Sequence, residues 1–380
     1  MQIVIVTDDL TSATDGAVAL AEAGWTVQVT RGSPAESSPA VSIDLATRTL
    51  PQGEAVRRVK AVGPLLANAQ VIVKQFDSTL RGHVVAETLA LLSATGRTRA
   101  VVAPAFPLAG RTTVNGLQLV NGVPVSDSEY ARDPLNPVTC SDVIALFRAQ
   151  KASTSLSESD LPEILVQDAA TEPELDKIVE KYACQPGVML AGSTGIVRAL
   201  ARCGPKPRKS ASLVRIEPCR HVLVIVGSLN PLSRTQLNSL IDGASVPLFK
   251  VSVSDEPIQL ANCIAQRFDK ETVVAISTPL APDNPVSLAD QLSAVTCELM
   301  RLSIVDAIIV TGGDVFGAIV DRLGVTSLEV LQELEPGIPV CKINSSNPVI
   351  AISKAGGFGS PDVFLKALAV LSAGSGARSK

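Results

Sequence analysis

Two adjacent carboxylates, Asp8 and Asp9, follow directly on the apolar run Ile3 to Val6. Paired acids in a strand-to-helix turn can grip a hydroxyl and take its proton, because two close carboxylates raise one of their pKa values. The same pair could equally be solubilising charge in a loop. A second set, Lys74-Gln-Phe-Asp-Ser-Thr-Leu-Arg-Gly82, follows another apolar run, Val71 to Val73. Lys74, Asp77, Ser78, Thr79 and Arg81 bring both signs of charge and two hydroxyls into eight positions. That composition suits a small anionic, hydroxylated ligand, although Asp77 or Ser78 could instead cap a helix. Arg48 closes a third stretch, Asp44-Leu-Ala-Thr-Arg48, and Arg111 a fourth, Ala103 to Arg111. Polar loops after successive strands can converge on one edge of a sheet. The cluster favours a polar small molecule bearing a carboxylate.

The second half of the chain offers a different chemistry. Gly227-Ser-Leu-Asn230 follows Val222 to Val226, Thr311-Gly-Gly-Asp-Val-Phe-Gly317 follows Ile308 to Val310, and Lys354-Ala-Gly-Gly-Phe-Gly359 stands near the end. Glycine-rich turns that open helices present free backbone N–H groups and a positive helix end, a seat for phosphate. Each turn alone could merely permit tight helix–sheet packing; three together fit a nucleotide cradle. There is no GxxxxGK[ST] sequence and no GxGxxG with a distant acid, so neither a P-loop nor a standard dinucleotide site is expected.

These loops require strands and helices to carry them. Short apolar runs alternate with helical periodicity throughout, the pattern of βαβ units. Strands are predicted over Ile3 to Val6, Thr26 to Thr30, Ser42 to Leu45, Val71 to Lys74, Ala100 to Ala103 and Val188 to Ala191, with helices such as Gly53 to Leu66 and Val84 to Thr95 between them. Ser12 and Asp15 have capping-box spacing at the first helix. The Pro-rich, basic stretch Cys203 to Ser212 breaks the pattern, which restarts at His221 to Val226. The expected architecture is two tandem α/β domains with largely parallel sheets, residues 1–205 binding the small molecule and 213–372 the nucleotide, with a frayed tail from Ser372.

Composition narrows the class. Of 380 residues, 46% are hydrophobic, 18% charged and 3% aromatic, so Val, Leu, Ile and Ala build the cores. No apolar run is long enough to span a bilayer and the N-terminus lacks a signal-peptide pattern, which makes the cytoplasm the expected location. Seven cysteines without a CxxC pair argue against a disulfide framework or a zinc site and suit small buried hydrophobes. A net charge of −4 leaves no electrostatic footprint for nucleic acid. With only His83 and His221 present, a histidine-rich metal centre is not expected.

Taken in order, these motifs resemble the four-carbon acid sugar kinase family, which phosphorylates threonate, erythronate and 3-oxo-tetronate with ATP. The resemblance runs through Thr7-Asp-Asp-Leu-Thr11 with Asp15, Lys74 to Gly82, Ala103 to Arg111, Asp133-Pro-Leu-Asn-Pro137, Gly192-Ser-Thr-Gly195, Gly227-Ser228, Thr311 to Asp314 and Lys354 to Gly359. It implies an N-terminal substrate domain in which Asp8, Asp9, Arg48, Lys74, Asp77, Ser78, Thr79 and Arg81 handle the sugar acid. It implies a C-terminal domain in which Ser228, Gly312, Gly313, Asp314, Val315, Gly356 and Gly357 hold ATP, with Mg²⁺ bridging the phosphates and Asp314 a partner for it. Three positions depart from the family pattern: Ser12 and His83, where Gly and often Asn are usual, and Val315, where Thr is frequent. A homodimer is one assembly open to such a protein. A nucleotide-cofactor oxidoreductase and a non-catalytic sugar-acid-binding protein are the alternatives. As general base, the Asp8–Asp9 pair is preferred over Asp77, whose neighbours Lys74 and Arg81 should keep it ionised. Asp8 leads within the pair because it continues the strand.

Overall fold

The computed structural model describes residues 2–34, 38–133, 136–152, 163–207, 216–279, 285–344 and 347–373. Parts of the Pro-rich connection (208–212), of the Asp133–Pro137 motif (134–135) and of the tail (374–380) lie outside them. The chain divides into two compact units, Met1–Ala211 and Ser212–Lys380. Among the described residues, no helix is long and apolar enough to cross a membrane.

The first unit runs β1 (Ile3–Thr7), α1 (Leu10–Glu22), β2 (Val27–Arg31), β3 (Ala40–Asp44), α2 (Gln52–Leu66), β4 (Val71–Gln75), α3 (Val84–Ala94) and β5 (Arg99–Ala103). It continues with β6 (Arg111–Val114), β7 (Leu117–Val120), β8 (Val123–Pro124), α4 (Val143–Ala152), β9 (Glu163–Val166), α5 (Glu172–Tyr182), β10 (Val188–Gly192) and α6 (Thr194–Cys203). The main sheet has the order β2-β3-β1-β4-β10-β5-β9 and every pairing is parallel. Its central strands are short Val/Ile/Ala runs with both faces buried, as helices on either side of a parallel sheet require. One helical layer groups α1, α5 and α6, and another α2, α3 and α4. Val4, Val6, Ile43, Ile72, Leu91 and Met189 are part of the core between the sheet and the second layer.

Strands β2 and β3 lie on one side of β1 while β4 lies on the other. The order therefore reverses between β1 and β4, the kind of point at which open α/β sheets bind ligands. Thr7 pairs with Asp44, and Val6 with Lys74, so the exits of β1, β3 and β4 share one edge.

The second unit runs β11 (Val222–Val226), α7 (Pro231–Ala244), β12 (Leu248–Lys250), α8 (Pro257–Ala265), β13 (Val273–Ser277), α9 (Pro285–Arg301), β14 (Ala307–Thr311) and α10 (Gly313–Arg322). It ends with β15 (Ser327–Glu335), β16 (Ile338–Ile343), β17 (Val349–Lys354) and α11 (Val363–Ala373). The order β12-β13-β11-β14-β17 is parallel, and β16 and β15 extend it antiparallel. Here the reversal falls between β11 and β14, whose ends Val226 and Thr311 are aligned.

Local expectations shift in several places. The strand expected over Thr26 to Thr30 is Val27–Arg31, and that over Ser42 to Leu45 is Ala40–Asp44. Ser12 does not cap α1. Asp9 does, its carboxylate accepting from Ser12 N at 2.7 Å, while Asp15 is buried and accepts from Thr194 Oγ1 at 2.6 Å. The antiparallel β6-β7-β8 sheet and the β15–β16 hairpin were not expected. The cysteines are free thiols, but only Cys297 and Cys341 are buried, and Cys184 and Cys263 are exposed, so small buried hydrophobe describes only part of the set.

Candidate active site

In the first unit the backbone brings the acids and bases together. Leu45 N donates to Thr7 O at 3.1 Å, and the amides of Thr47 and Arg48 both donate to Asp8 O, at 2.9 and 3.1 Å. The β3 exit is thereby stitched to the β1 exit, and Arg48 is delivered over the two acids. Its Nε and Nη2 form a fork on Asp8, each at 2.9 Å. Nη1 pairs with Asp9, and Nη2 also reaches Ser12 Oγ at 3.2 Å. Asp77 Oδ2 lies 3.9 Å from Nη1. A guanidinium has five N–H donors, and these contacts leave one of them on Nη1.

The loop after β4 is folded on Asp77. Thr79 N and Thr79 Oγ1 both donate to Asp77 Oδ1 at 2.8 Å, and Arg81 pairs with Oδ2. The chain reverses through Leu80 at φ 63° and Gly82 at φ 83°. A Cβ on Gly82 would stand 3.0 Å from Asp8 Oδ2 and 3.4 Å from Arg48 Cγ, so the absent side chain lets this loop close on the acid pair. Arg81 also reaches Asp133 at 3.2 Å and lies over the Tyr130 ring, 5.3 Å from its centroid. Helix α3 starts at Val84 with His83 at its N-cap, so neither Asp77 nor Ser78 is a capping residue.

These contacts split the carboxylates. Burial would raise Asp8, but Arg48 and Lys74 outweigh it and hold the group below its ordinary range. Asp9 is raised, first by burial and then by the Asp8 charge, against the pull of Arg48. Asp77 is pulled well down despite burial by Arg81, Arg48 and the Thr79 donors. Asp9 is also the more open of the pair, its side chain 24% exposed against 3% for Asp8. The fork on Asp8 stabilises its charged form, whereas burial beside that charge favours the protonated form of Asp9, so the electrostatics run against the preference for Asp8 as proton acceptor.

Burial and pairing bear on three other expected contacts. Lys74 is fully buried and its ammonium pairs with Glu87 Oε2 at 2.8 Å, so it sets the potential behind Asp8 and is closed to a ligand. Thr79 is likewise buried, with its hydroxyl spent on Asp77. Arg48 is chiefly an organiser of the acid pair, with only one N–H left over. Ser78 is half-buried at the loop surface. Glu87, Asp133, Tyr130 and Asp44 were not singled out as site residues beforehand. Asp44, buried at the β3 exit and paired with Arg31, is pushed by burial up to about 6 against the pull of that arginine. An acid directly at a strand exit was the available signal for it; nothing in the sequence links Glu87 to Lys74.

In the second unit, Ser228, Gly312 and the Gly356–Gly357 turn follow β11, β14 and β17, whose ends Val226, Thr311 and Lys354 are in register. Gly312 has φ 108°, which disfavours any side chain, and as N-cap of α10 it offers no capping group to the helix's first amides. A Cβ on Gly356 would fall 2.1 Å from Ser228 Oγ, so this turn approaches the Gly227–Ser228 turn only as glycine. Uncapped amides at a helix N-terminus, a neighbouring hydroxyl and close glycine backbone suit a phosphate-bearing ligand. Asp314 is exposed in the first turn of α10. One hard oxygen donor is what Mg²⁺ commonly takes from a protein when substrate phosphates and water fill its other positions. Val315 is different: its side chain is buried against Gly227, so only its amide can serve a ligand.

Comparison with known proteins agrees with this division. Residues 3–200 match a family model described as a sugar-binding N-terminal domain, and residues 223–364 one described as a nucleotide-binding C-terminal domain. The D-threonate kinase of Salmonella typhimurium strain LT2 is 27% identical over 97% of this chain and 98% of its own. The 3-oxo-tetronate kinase of Burkholderia multivorans is also 27% identical, over 96% of each. A crystal structure from Salmonella typhimurium LT2 shares the fold with a TM-score of 0.77 at 22% identity, covering 96% of this chain and 98% of that one.

Proposed function

The chain belongs to the four-carbon acid sugar kinase family, and on that premise we propose that it is an ATP-dependent kinase. Its acceptor is the terminal hydroxyl of a four-carbon sugar acid of the threonate, erythronate or 3-oxo-tetronate type. The observation that carries this reading is the convergence of Asp8, Asp9, Arg48, Asp77 and Arg81 at the strand-order reversal of the first unit.

Phosphoryl transfer is mostly positioning and charge stabilisation, so the side chains need to hold the acceptor and receive one proton. In this reading Asp9 accepts that proton. Asp8, held ionised by Arg48, fixes the arginine that in turn orients Asp9. Arg81, the more exposed guanidinium at 27% against 15% for Arg48, and the remaining Arg48 N–H offer contacts to the substrate carboxylate. Ser78, half-buried at the loop surface, faces the hydroxyls, and Asp77, buried with both oxygens engaged by Thr79 and Arg81, holds that loop in place rather than contacting them. In the second unit, Ser228, the amides of Gly313 to Val315 and the Gly356–Gly357 turn would hold the ATP phosphates, and Asp314 would meet Mg²⁺ directly or through water. When bound, Mg²⁺ neutralises charge on the phosphate oxygens.

A coupled ATP-consumption assay across a panel of four-carbon sugar acids tests the proposal. Turnover should appear only with a short polyhydroxy acid. Background ATPase activity with every member would overturn the reading, and NADH formation with the same acids would favour the oxidoreductase alternative.

A further inference from the structure

Among the described residues, the second unit contains a buried lysine with no acid to balance its charge. Lys354, the last residue of β17, is 1% exposed. Among the described residues its ammonium meets one partner, the backbone carbonyl of Gly356, at 3.3 Å. Lys74 in the first unit shows the ordinary arrangement, since it is equally buried but paired with Glu87. Removing an unpaired ammonium from water is expensive, and Met or Leu would fill similar space without that cost. Packing alone does not account for a lysine here.

Its position suggests what balances it. The register places Lys354 beside Thr311 at the end of β14, and Thr311 beside Val226 at the end of β11. Lys354 O accepts from Gly312 N at 3.1 Å, so the same residue anchors the turn that opens α10. Its Nζ leans on the Gly356 carbonyl, where Ser233 Oγ also donates at 3.0 Å. The side chain thus lies directly behind the Gly356–Gly357 turn, on the strand edge that carries the Ser228 and Gly312 turns.

We propose that Lys354 is the cation that balances the phosphate charge of the nucleotide held at the Gly312 and Gly356 turns. This rests on the nucleotide reading given above. Burial alone brings the Lys354 ammonium down to about 7. The ionisable groups on elements packed against β17 are Cys341 and Lys342 on β16 and Asp314, Asp321 and Arg322 on α10, and none contributes to that shift. At pH 8 most of the side chain is therefore neutral before nucleotide arrives. Phosphate charge beside it favours the ammonium, so binding draws a proton from the buffer onto Nζ.

Calorimetry of Mg·ADP binding at pH 8, in Hepes and in Tris, reads that proton directly. The wild-type protein should show an enthalpy difference between the buffers equal to about one proton per nucleotide. Lys354→Gln keeps a donor for the Gly356 carbonyl but loses the charge. It should abolish the uptake and weaken ADP binding about ten- to a hundredfold, the range of a hydrogen bond to a charged group. A purely structural clamp predicts instead that the folded Gln variant binds ADP within about twofold of wild type, a result that overturns the proposal. Should that variant not fold, absence of any buffer dependence in the wild type overturns it equally. Gly313→Val separates the two levels. If it leaves ADP affinity intact, the nucleotide site itself is misplaced; if it weakens ADP while Lys354→Gln does not, only the role of Lys354 falls.

Discussion

Asp8 and Asp9 are neighbours in sequence with opposite fates, and one guanidinium accounts for both. The Arg48 fork occupies both oxygens of Asp8, while Asp9 shares a single contact with it and keeps its other oxygen on Ser12 N. Replacing Asp9 with Asn retains an acceptor for the α1 cap, so the helix should persist while the base is lost. We expect kcat to fall by ~10²–10⁴-fold with ATP affinity unchanged, the usual scale of general-base loss. Steady-state kinetics of Asp9→Asn beside Asp77→Asn checks this. A near-normal Asp9→Asn with an inactive Asp77→Asn would move the base to Asp77. At this scale the sequence was a good guide to which residues gather and a poor one to which of them pair with each other. Asp8, Asp9, Arg48, Asp77 and Arg81 all follow strands, and strand exits in a parallel sheet share an edge. Lys74 and Arg81 lie in one stretch and were both expected to handle the sugar acid, but Lys74 is the fourth residue of β4 and buries its charge against Glu87 of α3. That partner is fixed only by packing.

The loop after β4 is the element on which the cluster depends. It turns through two left-handed residues, Leu80 and Gly82, and a Cβ on Gly82 would crowd Asp8 Oδ2 and the Arg48 side chain. Gly82→Ala adds a methyl group that Asp8 and Arg48 must move to accept, and forces a left-handed alanine costing roughly 1 kcal/mol. The KM for the sugar acid should rise by about tenfold or more while the KM for ATP holds, since sub-ångström displacement of positioning groups is costly. Unchanged sugar-acid kinetics in a folded variant would show that the loop's closeness to Asp8 has no part in binding. Some elements were readable but passed over. Asn115-Gly116 and Asn121-Gly122 are strong hairpin signals, and both pairs adopt positive φ at the ends of β7. No element is predicted over that stretch. The start of α1 was misjudged for a different reason. Ser12 and Asp15 have the right spacing for a capping box, yet Asp15 is bound by Thr194, a contact across 179 residues that local sequence cannot reveal.

For the whole molecule, the alternation of apolar runs and helical periods was enough to foresee two α/β units with largely parallel sheets. Strand order was not foreseeable, because each Val/Ile run is compatible with several neighbours. It is the order that puts Asp8 and Asp77 on either side of one reversal, and Ser228 and Gly312 on either side of another. One unit thus presents acids and guanidiniums, the other uncapped amides and glycine turns, the division on which the proposed kinase reading rests. The most direct test is to identify the product. After incubation with ATP, Mg²⁺ and the most active acid of the panel, ³¹P–¹H correlated NMR should show ADP and a phosphomonoester coupled to the two protons of the terminal CH₂. Inorganic phosphate as the sole new signal, or an ester coupled to a single CH proton, would contradict the account.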